Sequence, residues 1–82
     1  MKYTVTLYWN GELVCHAAAT AVVASDITRA HVVENFAAAT RRTAEASCLN
    51  LLERIQALRP LHSITMENND NTGAARAVIS RL

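Results

Sequence analysis

Cys15 followed by His16, a second thiol at Cys48, and imidazoles at His31 and His62 are the side chains best equipped for chemistry in this sequence. Nucleophilic catalysis needs a thiol or hydroxyl held against a base, with a third group orienting that base. Neighbours on a strand point to opposite faces, so Cys15 and His16 are not expected to meet. Zinc ligands usually come in close pairs, and these five residues are scattered singly along the chain. Gly11 and Gly73 sit in turn-like contexts and build no phosphate-cradling loop. The seven carboxylates show no convergent pair for acid–base work. The expectation is therefore a non-enzyme with no cofactor and no metal, its cysteines reduced and packed as small hydrophobes in the cytoplasm.

Binding chemistry is the alternative to catalysis. Eight basic residues against seven acidic ones leave a net charge of +1, so any attraction to phosphate must come from a local patch. Arg29, Arg41 and Arg42 in the middle of the chain and Arg76 near its end are the candidate cations, with Tyr8 and Trp9 as candidate stacking surfaces. Glu34 and Glu45 interleave with Arg41 and Arg42, as on an ordinary solvated helix face. Tyr8, Leu13 and Leu49 are apolar residues that fall off the faces assigned to the core, which suits a protein contact. Tyr8, Leu13, Arg29, Arg41, Arg42, Leu49 and Arg76 thus form the expected partner-binding set. The leading expectation is a non-catalytic protein-interaction module, self-associating or clamped onto a larger partner; a nucleic-acid-binding domain using the helical arginines is the alternative. In size and layout alone the chain is similar to small inhibitors of bacterial defence complexes encoded by phages or mobile elements, the anti-CRISPR proteins among them.

The elements that position these residues are legible in part. Tyr3 to Trp9 alternates β-branched or aromatic residues, Asn10-Gly11 suits a type I′ turn, and Glu12 to His16 reads as the returning strand. A regular two-residue hairpin pairs Trp9 with Glu12, Leu7 with Val14, Val5 with His16 and Tyr3 with Ala18. It buries Tyr3, Val5, Leu7, Trp9 and Val14 on one face. Residues 17–24 mix alanines with Thr20, Val22 and Val23, so propensity leaves strand and helix open, and a long second strand, with room for a bulge, is preferred there. Ser25 and Asp26 are good N-caps for a following helix. Val33, Phe36, Ala37, Thr40, Ala44, Cys48, Leu51, Leu52, Ile55 and Leu58 then make one helical stripe ended by Pro60.

An unbroken helix over 27–58 would be about 48 Å long, too long for strands of this length, so a break near Asn35 or Ser47 is expected. Residues 61–67 read as a third strand, 68–73 as a polar turn, and 74–82 as a fourth strand. At 82 residues the chain is a single domain, 1–82. The layout is α+β: an antiparallel four-stranded sheet of two hairpins, covered on one face by a long kinked or broken helix (ββαββ or ββααββ). Met1-Lys2 leads straight into strand, so no signal peptide is expected, and the longest apolar stretch is too short to span a bilayer.

Overall fold

A computed structural model describes residues 2–82. Four strands, β1 (Tyr3–Trp9), β2 (Glu12–Ala19), β3 (Ser63–Asp70) and β4 (Gly73–Arg81), form one antiparallel sheet in the order β2-β1-β4-β3. Between the two hairpins the chain runs through α1 (Ala21–Arg29), a π turn (Ala30–Glu34), α2 (Ala38–Ser47) and α3 (Leu51–Gln56), all laid over one sheet face. The smallest Cα extent, 17 Å, is that of one sheet plus one helical layer. This is the α+β architecture that the strand–helix–strand pattern predicts.

The covered face carries Tyr3, Val5 and Leu7 from β1, Ala75, Ala77 and Ile79 from β4, Met66 from β3 and Ala19 from β2, all buried. Ala24, Val32, Val33, Phe36, Ala44, Cys48, Leu51 and Ile55 meet them from the helical layer. Alanines at 19, 75 and 77 keep the sheet surface low, so the helices approach closely and a thin core still fills. Of the expected helical stripe, Val33, Phe36, Ala44, Cys48, Leu51 and Ile55 are buried; Thr40, Leu52 and Leu58 are half-buried and Ala37 is exposed.

Asn10 and Gly11 adopt φ of 51° and 82°, the left-handed pair a type I′ turn demands. The turn is pinned to β4: the Asn10 amide donates to the Ala74 carbonyl at 2.8 Å, and the Ala74 amide donates to Asn10 Oδ1 at 2.9 Å. One expectation fails inside this hairpin. Val14 is a β-bulge, so Leu7 pairs with Cys15, Thr6 with His16, Val5 with Ala17 and Tyr3 with Ala19. The extra residue reverses the faces beyond it. Val14 is 56% exposed rather than core, Cys15 packs against the core, and His16 lies on the open face. There His16 Nδ1 and Thr6 Oγ1 are 2.8 Å apart.

The prolonged second strand is likewise corrected. β1 begins at Tyr3, which pairs with Ala19, so β2 has no partner on β1 beyond that point. Thr20 caps α1 instead, its Oγ1 accepting from the Val23 amide at 3.3 Å. Ser25 is therefore a buried helix-interior residue, and Asp26 an exposed one. The helix breaks at both expected places. After the π turn, Arg41 turns its guanidinium onto the carbonyls of Phe36 (3.0 Å) and Glu34 (3.2 Å), serving the backbone acceptors that the helix end leaves free. Cys48 ends α2, and Asn50 at φ 58° opens α3.

The polar turn at 68–73 is shorter than expected. β3 runs on through Asn68 and Asn69 to Asp70, paired with Ala75, Ala74 and Gly73. Asn68 lies half-buried, and its Nδ2 donates to the Val32 carbonyl at 2.9 Å, fastening sheet to helical layer. Asp70 accepts from the Thr72 amide at 2.7 Å and from the Thr72 hydroxyl. Those bonds, the hydroxyl's first, hold its carboxyl below the ordinary carboxylate range.

Candidate functional site

The seven residues expected to bind a partner fall into two groups on opposite faces. Leu13, Tyr8 and Arg76 are brought together as a row across the open side of the sheet, Tyr8 pairing with Leu13 on β2 and with Arg76 on β4. The Arg76 guanidinium lies 4.3 Å from the Tyr8 ring centroid, so the ring already carries a cation. Glu67 continues the row on β3. Arg29, Arg41, Arg42 and Leu49 belong to the helical layer instead. Arg29 ends α1, Arg41 is bound to backbone carbonyls, Arg42 is exposed on α2, and Leu49 stands 70% exposed at the α2–α3 bend. They form no continuous basic stripe with Arg76.

The chemistry-bearing residues stay apart. Among the described residues no three histidines, cysteines or carboxylates converge on a common point. Cys48 is buried, and burial pushes its thiol up, with Arg29 and then Arg54 pulling partly against that. His31 is 8% exposed, and its Nε2 lies 2.8 Å from the Tyr8 carbonyl. A carbonyl only accepts, so Nε2 is the protonated nitrogen. Trp9 packs its edge on His31 (centroids 6.4 Å) and tilts against Phe36 (5.9 Å), closing that end of the core. The imidazole thus links the π turn to β1.

What sequence reasoning missed is the exposure of Val14, Val22 and Val23 at the two ends of one sheet edge. Among the described residues, the large hydrophobics that stand exposed are Leu13, Val14, Val22, Val23, Leu49, Leu61 and Leu82. Four of these seven lie on β2 and the first turn of α1, which follows it directly. β2 is an outer strand with no lysine and no proline in Glu12–Ala19. β3, the opposite edge, carries Glu67, Asn69 and Asp70, polar groups of the kind that discourage strand addition. Val22 and Val23 adjoin in sequence and looked like strand residues; only the Thr20 cap places them on an exposed helical turn.

A second cluster lies at the end of the sheet where the chain termini meet. The Leu82 amide donates to the Lys2 carbonyl, and the Leu61 amide donates to the Arg81 carbonyl, both at 2.8 Å. Arg54, Arg59 and His62 line one hollow close by. Arg54 and Arg59 thus share this hollow, while Lys2 and Arg81 take part in the backbone pairing beside it. No helix among the described residues is long and apolar enough to cross a membrane. Comparison with protein-family models, with curated proteins and with solved structures returns no match, so the surface chemistry alone bears on function.

Proposed function

We propose that this chain is a non-catalytic protein-interaction module whose docking surface is the β2 edge with the adjoining turn of α1. The observation that carries the reading is the exposure of Leu13, Val14, Val22 and Val23, each 45–60%, at the two ends of a sheet edge that has no lysine, no proline and a single charged residue, Glu12. An outer strand offers a row of unpaired amides and carbonyls, which supply affinity, while flanking apolar side chains supply selectivity. Small size and two-layer layout, shared with inhibitors of bacterial defence complexes, make such a complex the first partner to test. The test compares partner binding by the wild type, by Leu13→Lys/Val14→Lys and by Leu49→Lys. The edge variant should weaken binding at least about tenfold, a loss of about 1.4 kcal/mol, and the Leu49 control should not. Equal binding by all three would sink the reading.

Nucleic-acid binding stands as a second reading, favoured by Arg54 and Arg59 in one hollow, with Lys2 and Arg81 in the backbone pairing beside it, rather than by the arginines of α1 and α2. It predicts a salt-sensitive gel shift that Lys2→Glu/Arg59→Glu abolishes and Arg42→Glu leaves intact. No shift at low salt would dismiss it.

A further inference from the structure

We infer that the occupant of the β2 edge is a second copy of this chain, paired antiparallel through β2 about a two-fold axis at Ala17, so that two four-stranded sheets become one of eight strands. This inference rests on the edge reading above and names its partner.

Backbone geometry fixes which residues face outward. The Asn10 amide bonds Ala74, and the Lys2 carbonyl bonds Leu82, so the even-numbered residues of β1 exchange hydrogen bonds with β4. The odd-numbered ones then turn to β2, engaging Cys15, Ala17 and Ala19. His16 and Ala18 are left with backbone groups directed away from the sheet. In a copy paired about Ala17, His16 meets the other copy's Ala18 in both directions, and all four residues exchange hydrogen bonds. Ala17 faces its own counterpart as a non-hydrogen-bonded pair, where a methyl group allows the close approach such pairs require.

The side chains are self-complementary under the same operation. Exposed apolar residues lie at both ends of the edge, Leu13 and Val14 at one and Val22 and Val23 at the other. An antiparallel two-fold brings the Val14 end of one copy's edge to the end where Val22 and Val23 open the other copy's α1, with Val14 opposite Thr20. Glu12 is the only charged residue of β2, and the first turn of α1 contains no acidic residue. The pairing carries each carboxylate to the positive N-terminal end of the other copy's α1, and it keeps the two carboxylates at opposite ends of the interface. The polar β3 edge argues against head-to-tail β2–β3 addition, which would also leave an open chain of copies; pairing β2 with itself closes at two.

The experiment is sedimentation of the full chain from about 1 µM to about 1 mM, a range that brackets an edge-sized contact, joined to hydrogen exchange and two variants. The expected result is a concentration-dependent dimer in which the His16 and Ala18 amides gain protection. Ala18→Pro, which removes an outward N–H that no neighbour uses, should weaken dimerisation at least about tenfold while the monomer's circular dichroism is unchanged. Ala17→Cys, with Cys15→Ser and Cys48→Ala to clear other thiols, should oxidise to a covalent dimer, and Ala38→Cys in that background should not. A strict monomer up to about 1 mM would overturn the second-copy inference and leave the edge reading to its own binding comparison. A dimer unaffected by Ala18→Pro, protected elsewhere, would overturn both.

Discussion

Gly73→Ala should be the most damaging methyl group that can be added to this protein's surface turns. Gly73 opens β4 at φ 158°, and the Trp9 indole lies directly on its Cα, so an alanine Cβ would stand well inside contact distance of three ring atoms. Packing of the ring against His31 and Phe36 opposes its retreat. Overpacking of this kind costs about 1–3 kcal/mol. A non-glycine residue at positive φ adds to that, giving a total of about 2–4 kcal/mol. At 0.05–0.15 kcal/mol per residue, an 82-residue chain has about 4–12 kcal/mol of stability to lose. The midpoint of thermal unfolding should therefore fall by about 10–25 °C. Trp9 is the single tryptophan, so its fluorescence during urea unfolding reports the affected site directly. Trp9→Leu should relieve the overpacking part of the loss and leave the backbone part, a coupling of at least about 1 kcal/mol in the double-mutant cycle. A Gly73→Ala protein within about 0.5 kcal/mol of wild type, or the same loss beside Leu at position 9, would refute the reasoning.

Two further outcomes follow from polar groups. The Thr28 hydroxyl is fully buried with no hydrogen-bond partner, so the isosteric Thr28→Val should raise stability by about 1 kcal/mol, measured by urea unfolding; a loss would show that the hydroxyl is satisfied after all. Asp70 has its carboxyl lowered by Thr72, so its support of the β3–β4 turn is present above the ordinary value of 3.8 and fades as the pH falls through its own lower one. Asp70→Asn should destabilise at neutral pH and cost progressively less at about pH 3 and below, and a stability difference independent of pH would refute this.

The parts of the fold that were legible are those set by local residue types. Asn10-Gly11 announces its turn because few other pairs tolerate two left-handed residues, and the stripe from Val33 to Ile55 announces a helix on a core. The errors share a cause: a neighbour outside the local window decided the outcome. A bulge in the second strand was open from the sequence, but nothing in the spacing of Leu13, Val14 and Cys15 places it at Val14. Thr20 became a cap because β1 supplies no residue to pair beyond Ala19. Asn68 reads as turn by type, yet it stays in β3 because its amide is spent on Val32 across the layers. Of the candidate surface, the adjacency of Tyr8 and Leu13 was legible from the hairpin, whereas Arg76 joins their row only through the β1–β4 pairing, which the sequence leaves open. Val14, Val22 and Val23 were not legible, since their exposure depends on those same bulge and cap decisions.

The spare residue at Val14 has a consequence for how this chain tolerates change. It uncouples the parity of the strand's two halves: Glu12 and Leu13 keep step with the tight turn, while Cys15 to Ala19 keep step with the helical layer. Lengthening or shortening the ribbon tip by a residue can be absorbed there without turning the inner half inside out. A gap or insertion near position 14 in a divergent copy is thus compatible with an unaltered interior, whereas one between Cys15 and Ala19 is not.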